Sequence, residues 1–181
     1  WPDATVGTRY GFRHALYQEV LYARLAPGRR LRLHQQLGLL KERAYGDRVR
    51  EIAAELAMHF GRSQETSRSV TYLHIAAQNA LQRCAYQEGI GYLTQGLELL
   101  QTLPETPTRQ QHELLVQSTL GMAYAATKGY AAPEVERAYT RARELGARVG
   151  DTRQMFAVLV GLWNFYFVHG ACQRARQLGE Q

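Results

Sequence analysis

Residues 84–100 read Cys84-Ala-Tyr-Gln-Glu-Gly-Ile-Gly-Tyr-Leu-Thr-Gln-Gly-Leu-Glu-Leu-Leu100. Ile90, Leu93, Leu97 and Leu100 recur at spacings of three and four, which puts them on one face of a helix. Gly89 lies between Tyr86 and Ile90 and Gly96 between Leu93 and Leu97, and Ala77 holds a similar place in the preceding segment, after Leu73. Small residues at these points let a second helix backbone come close. The segments 67–83 and 86–102 therefore read as two helices packed against each other.

Working outward, the rest of the chain after the first dozen residues has the same character. The expected helices are 13–26, 29–45, 47–61, 67–83, 86–102, 108–128, 132–149, 152–169 and 171–180, with no sustained period-two alternation between them. Their ends carry local signals. Pro27-Gly28 separates the first two helices, Gly46 stops the second, and Asp47 is placed to cap the third. Thr106-Pro107 is an N-cap followed by proline at the first helical position, and Pro133 repeats the device. Gly150 ends one helix, and Asp151 with Gln154 three residues on has the form of a capping box. In the second helix, Leu33, Leu37, Leu40 and Ala44 form the expected buried stripe. Turns this short make neighbouring helices antiparallel. The fold class is all-α.

The order of small and large residues over 70–100 resembles the tetratricopeptide repeat, with Pro104 near that repeat's closing proline. Leu120-Gly121 and Tyr124, then Tyr139, Ala142 and Leu145, resemble a second, looser unit. Leu159, Trp163, Tyr166, Gly170 and Ala175 resemble a third. There Trp163 stands where the repeat has a small residue, so that pair is expected to splay. Equivalent positions lie about 43 residues apart, against roughly 34 in the usual repeat. The resemblance implies antiparallel hairpins stacked as a right-handed superhelix, an α-solenoid, with units near 67–104, 108–149 and 152–181. In such stacks the first helix of each hairpin lines the concave face. That places Thr71, His74, Gln78, Gln82, Ser118, Met122 and Asn164 there as candidate contacts for an extended peptide.

Residues 1–62 do not follow the repeat. Tyr10-Gly-Phe12-Arg13-His14-Ala-Leu16-Tyr17, then Arg30, Leu33-His34 and Leu56-Ala57-Met-His59-Phe60, resemble the junction in bacterial signal-transduction ATPases with numerous domains (STAND ATPases). There a nucleotide-binding module and winged helix lead into helical repeats. Gly129-Tyr-Ala-Ala-Pro-Glu-Val-Glu-Arg-Ala-Tyr139 resembles the adenylate/guanylate cyclase-linked branch; other relatives are transcription regulators. The resemblance implies a bacterial, cytoplasmic interaction and sensor segment that binds a protein or peptide. It would also contact an upstream ATPase module that carries ATP and Mg. It makes His14 a nucleotide-sensor candidate, an imidazole donor to phosphate. Trp1 and the helical pattern running to Gln181 read as cuts in a longer chain, with the last repeat truncated.

The residues themselves offer little chemistry. No phosphate-binding Gly-x-x-x-x-Gly-Lys-Ser/Thr, Gly-x-Gly-x-x-Gly, Gly-x-Ser-x-Gly, His-Glu-x-x-His or Cys-x-x-Cys is present. His34 and His59 stand alone on their helices and read as structural. Glu51 and Glu55 lie four apart without a sheltering motif. Neither catalytic residues, metal ligands nor a cofactor is expected in this segment. Cys84 and Cys172, on apolar helix positions, read as reduced structural thiols. The net charge of +6 comes almost wholly from arginine, Lys41 and Lys128 being the two lysines. It opens the alternative of a basic nucleic-acid-binding regulatory module. Apart from Arg29, Arg30 and Arg32, however, the arginines are scattered. Apolar residues make up 45% of the chain, enough for a packed core, yet no run reaches the ~20 residues of a membrane span.

Overall fold

The computed structural model describes residues 15–150 and 152–179. Their regular structure is helical throughout: α1 (Ala15–Arg24), α2 (Pro27–Tyr45), a 3-10 helix (Gly46–Ile52), α3 (Ala53–Arg62), α4 (Thr66–Gln82), α5 (Tyr86–Gln101), α6 (Pro107–Lys128), α7 (Pro133–Val149), α8 (Thr152–Val168) and α9 (Cys172–Gly179). Among the described residues there is no strand.

The helix ends follow the local signals closely. Thr106 caps α6, its side-chain oxygen accepting from the Arg109 N–H at 3.2 Å, with Pro107 at the first helical position. Pro133 opens α7, and Gly150 closes it at φ +75°, the left-handed conformation that costs glycine little. Three expectations need correction. The third helix does not start as an α-helix at 47; residues 46–52 form a 3-10 turn, and Asp47 caps nothing. In α2 the buried residues are His34, Gly38 and Ala44, while Leu33, Leu37 and Leu40 are exposed. Both cysteines are exposed and free, and Cys84 lies in the turn before α5 at φ +59° rather than on a helix. Asp151 lies outside the described residues.

The chain divides into two compact units, residues 1–72 and 73–181, with the boundary inside α4. In the first, α2 packs on α3, and Ser69 and Tyr72 of α4 hydrogen-bond to α3 and α2. Phe60 of α3 is fully buried. Its ring comes so near Gly38 that a Cβ there would sit 3.0 Å from it. Tyr72 stacks on Phe60 at 5.6 Å and donates its hydroxyl to Glu42 at 2.5 Å. Burial and this carboxylate raise the Tyr72 pKa far above the ordinary phenol value. Ser69 donates to the Ala57 carbonyl at 2.9 Å, closing α4 onto α3.

In the second unit α5 packs on α6, α6 on α7, α7 on α8 and α8 on α9. Gly89 meets Leu81 and the Ala77 carbonyl, so the small residues at 77 and 89 do allow α4 and α5 to approach. The main apolar core draws Leu114 from α6, Val135, Ala142 and Leu145 from α7, and Val158 and Leu162 from α8. Tyr139 of α7 reaches into the space left by two glycines, Gly121 on α6 and Gly161 on α8. A Cβ at either glycine would collide with its ring, so one side chain sets the approach of three helices. Glu113 is a buried carboxylate, ion-paired to Arg141 at 2.7 Å and to Arg109 at 4.0 Å. The α8–α9 hairpin holds an open groove of about 200 Å³ lined by Leu159, Trp163 and Leu178 among others.

Candidate functional site

The second unit contains a groove of about 500 Å³ between α4, α6 and α8. Five of the seven positions expected on a binding face line it: His74 and Gln78 from α4, Ser118 and Met122 from α6, and Asn164 from α8. Gln78 and Met122 also line an adjoining groove of about 480 Å³, together with Gln82, a sixth expected position. Thr71 is not brought to either groove; it belongs to the first unit and donates its hydroxyl to the Ser67 carbonyl at 3.0 Å. His14 lies outside the described residues.

The repeat resemblance, mapped onto the chain, puts these positions on the first helix of each expected hairpin. It missed the groove's other wall. Tyr130, Tyr139, Phe156 and Val160 are among the other residues that line it, and Phe156 is 73% exposed. Phe156, Val160, Trp163 and Phe167 recur at spacings of four, three and four, so they share one face of α8. All four are exposed, and Trp163 stacks on Phe167 at 5.0 Å. Phe165 lies in the core instead, and Tyr166 donates to Glu136 at 3.1 Å.

Among the described residues neither groove is lined by a Lys, Arg, Asp or Glu side chain, although the chain has 22 basic and 16 acidic residues. The polar groups that line them are already partly committed. Thr119 and Ser118 both donate to the Leu115 carbonyl, at 2.8 and 3.0 Å. His74 Nε2 lies 2.9 Å from Thr119 Oγ1; because the threonine proton is used on Leu115, the imidazole N–H donates. Asn164 Nδ2 donates to the Val160 carbonyl at 2.9 Å. Ser118 keeps oxygen lone pairs that can accept from an N–H group, and Asn164 keeps its Oδ1 as an acceptor and a second N–H as a donor. Tyr139 has its pKa pushed up to about 12 by burial, with Tyr130 nearby, so its hydroxyl stays neutral.

A second cluster, in the first unit, corrects the reading of His34 and His59 as isolated. They are buried and face each other, Nδ1 to Nδ1, at 2.9 Å. The Tyr22 hydroxyl lies 2.9 Å from His34 Nε2. Glu55 lies 3.9 Å from His59 Nε2 and is paired with Lys41 at 2.7 Å. A cavity of about 560 Å³ opens onto the cluster, lined also by Glu19, Arg30 and Arg62. Burial lowers the pKa of both imidazoles, assisted by Arg62 at His34 and by His34 itself at His59. The two residues are 25 apart in sequence, on different helices, and no local spacing announces the pair.

Among the described residues no three His, Cys, Asp or Glu side chains gather as a metal site. No described helix is long and apolar enough to cross a membrane. No family model matches the chain. No solved structure matches it. An uncharacterized protein of Rhizobium meliloti (strain 1021) is 27% identical over 177 residues; the match takes in 94% of this chain and 17% of that protein. The chain thus spans about one sixth of the relative's length.

Proposed function

We propose that this chain is a non-catalytic interaction segment whose second unit binds an extended, uncharged stretch of a protein partner in the α4–α6–α8 groove. The observation that carries the reading is the lining. Five positions named from the repeat resemblance converge on one cavity, and among the described residues that cavity is lined by hydrogen-bonding groups and apolar surface with no Lys, Arg, Asp or Glu side chain. An extended peptide supplies the complement, since its backbone N–H groups meet Ser118 and Asn164 while an apolar side chain meets Met122, Phe156 and Val160. Met122 is flexible and 55% exposed, suited to adapting to that side chain. In the fuller reading the helices are tetratricopeptide-like hairpins of a right-handed solenoid. The segment then belongs to a larger cytoplasmic signalling ATPase of the STAND type, and partner binding biases the state of its nucleotide module. This requires the partner to prefer one state of that module over the other.

The test uses a library of short, end-capped peptides, with binding followed by fluorescence anisotropy. Peptides with an apolar anchor and no charge are expected to bind, with affinity nearly constant between about 50 and 200 mM salt. Met122→Glu is expected to abolish that binding. If no peptide binds, or if Met122→Glu and Asn164→Ala leave binding intact, the groove reading fails. Duplex DNA that binds instead and loses roughly a thousandfold in affinity over the same salt range supports the basic nucleic-acid module. The coupling is tested in a longer form containing the nucleotide module: unchanged nucleotide exchange on peptide saturation removes it.

A further inference from the structure

In the neutral first unit the tautomers of the His34–His59 pair are set by their neighbours. One Nδ1 must donate to the other across 2.9 Å. If His59 donated, its bare Nε2 would face the Glu55 carboxylate, lone pair against negative charge. If His34 donates, every partner is complementary: the Tyr22 O–H donates to His34 Nε2, His34 Nδ1–H donates to His59 Nδ1, and His59 Nε2–H points toward Glu55. The chain of bonds therefore runs one way, from α1 through α2 to α3.

This direction decides where protons can go. A first added proton fits on His34 Nε2, with the Tyr22 hydroxyl turning to accept. A second has one place left, His59 Nδ1, and there it would set two N–H groups head to head. We propose that the pair is a proton-operated joint between α2 and α3: the closed joint accommodates one added proton, and uptake of the second drives the two helices apart. The surrounding charges favour the lower proton count. Arg30 and Lys41 from α2 and Arg62 from α3 oppose a positive charge, while Glu19 from α1 and Glu55 from α3 favour one, and Glu55 is already held by Lys41. The 3-10 helix and α4 contribute no charged side chain to the cavity. That cavity gives protons a route to the pair without prior unfolding.

The sign follows from proton counting. Both imidazoles titrate below their ordinary 6.5 while the joint is closed, so the open joint holds more protons below that pH. Closure is complete above about pH 6.5 and is lost as pH falls through the lowered values. Hydrogen exchange on the whole 181-residue chain, corrected for the intrinsic pH dependence of exchange, measures it. Opening of the α2 and α3 amides is expected to rise roughly tenfold per pH unit below 6.5. His59→Asn keeps an amide oxygen that can accept from His34 Nδ1–H but takes no proton, and its slope is expected to be flatter. Equal slopes in the two proteins overturn the proposal. A readout that needs no variant is the ¹⁵N titration of the imidazoles. The proposal also fails if both rings take up protons while the α2 and α3 amides keep their protection.

Discussion

The two units are held together by different kinds of contact. The first joins its helices through groups that can titrate or ionise: the His34–His59 pair, the Tyr72 hydroxyl on Glu42, and Arg68, which lies 3.4 Å from Glu42 and over the Phe60 ring. The second joins its helices mainly by shape, with the Tyr139 ring between Gly121 and Gly161 and an aliphatic core around it. Glu113 is its buried exception, and two arginines compensate it. Directional polar contacts tie stability to solution conditions, whereas close packing ties it to side-chain volume. One chain therefore carries a condition-sensitive part and a volume-sensitive part.

The most severe way to break the comparison is at the ring. Tyr139→Ala empties a site shared by three helices and is expected to cost about 3–5 kcal/mol, read from urea unfolding as loss of the second unit. An effect below about 1 kcal/mol would mean that shape does not dominate there. Next in size is Tyr72→Phe, which keeps the stack on Phe60 and removes only the bond to Glu42. It is expected to cost about 1.5–3 kcal/mol, as for other hydrogen bonds to charged groups, and to appear in the first unit's transition. A neutral outcome would place that unit's stability in its apolar contacts instead. The smallest effect is at Glu51, whose ion pair with Arg48 is fully exposed. Glu51→Gln is expected to leave the melting temperature unchanged, which would limit the polar character of the first unit to its sheltered groups.

Legibility in the sequence followed the range of the interaction. Thr106-Pro107, Pro133 and Gly150 act within one helical turn, and the helix ends they announce are the ones observed. The repeat resemblance, mapped position by position, named His74, Gln78, Ser118, Met122 and Asn164, which line a common groove. Rotation about a helix axis was harder. The leucines of α2 have a regular period, but Phe60 needs a residue without a side chain opposite it, and Gly38 turns His34 inward and the leucines outward. Tyr139 was legible as a large residue, whereas its fit depends on glycines 18 residues before it and 22 after it, on separate helices. The histidine pair was invisible for the same reason, since its meaning lies in a distance between helices.

Cys84 and Cys172 are both solvent-facing, one in the turn between α4 and α5 and the other at the first residue of α9. Each can take a maleimide dye or a nitroxide where it stands, since both are exposed. Doubly labelled chain becomes a molecular ruler across its second half with no residue replaced, while unlabelled material stored without reductant will cross-link through the same two thiols.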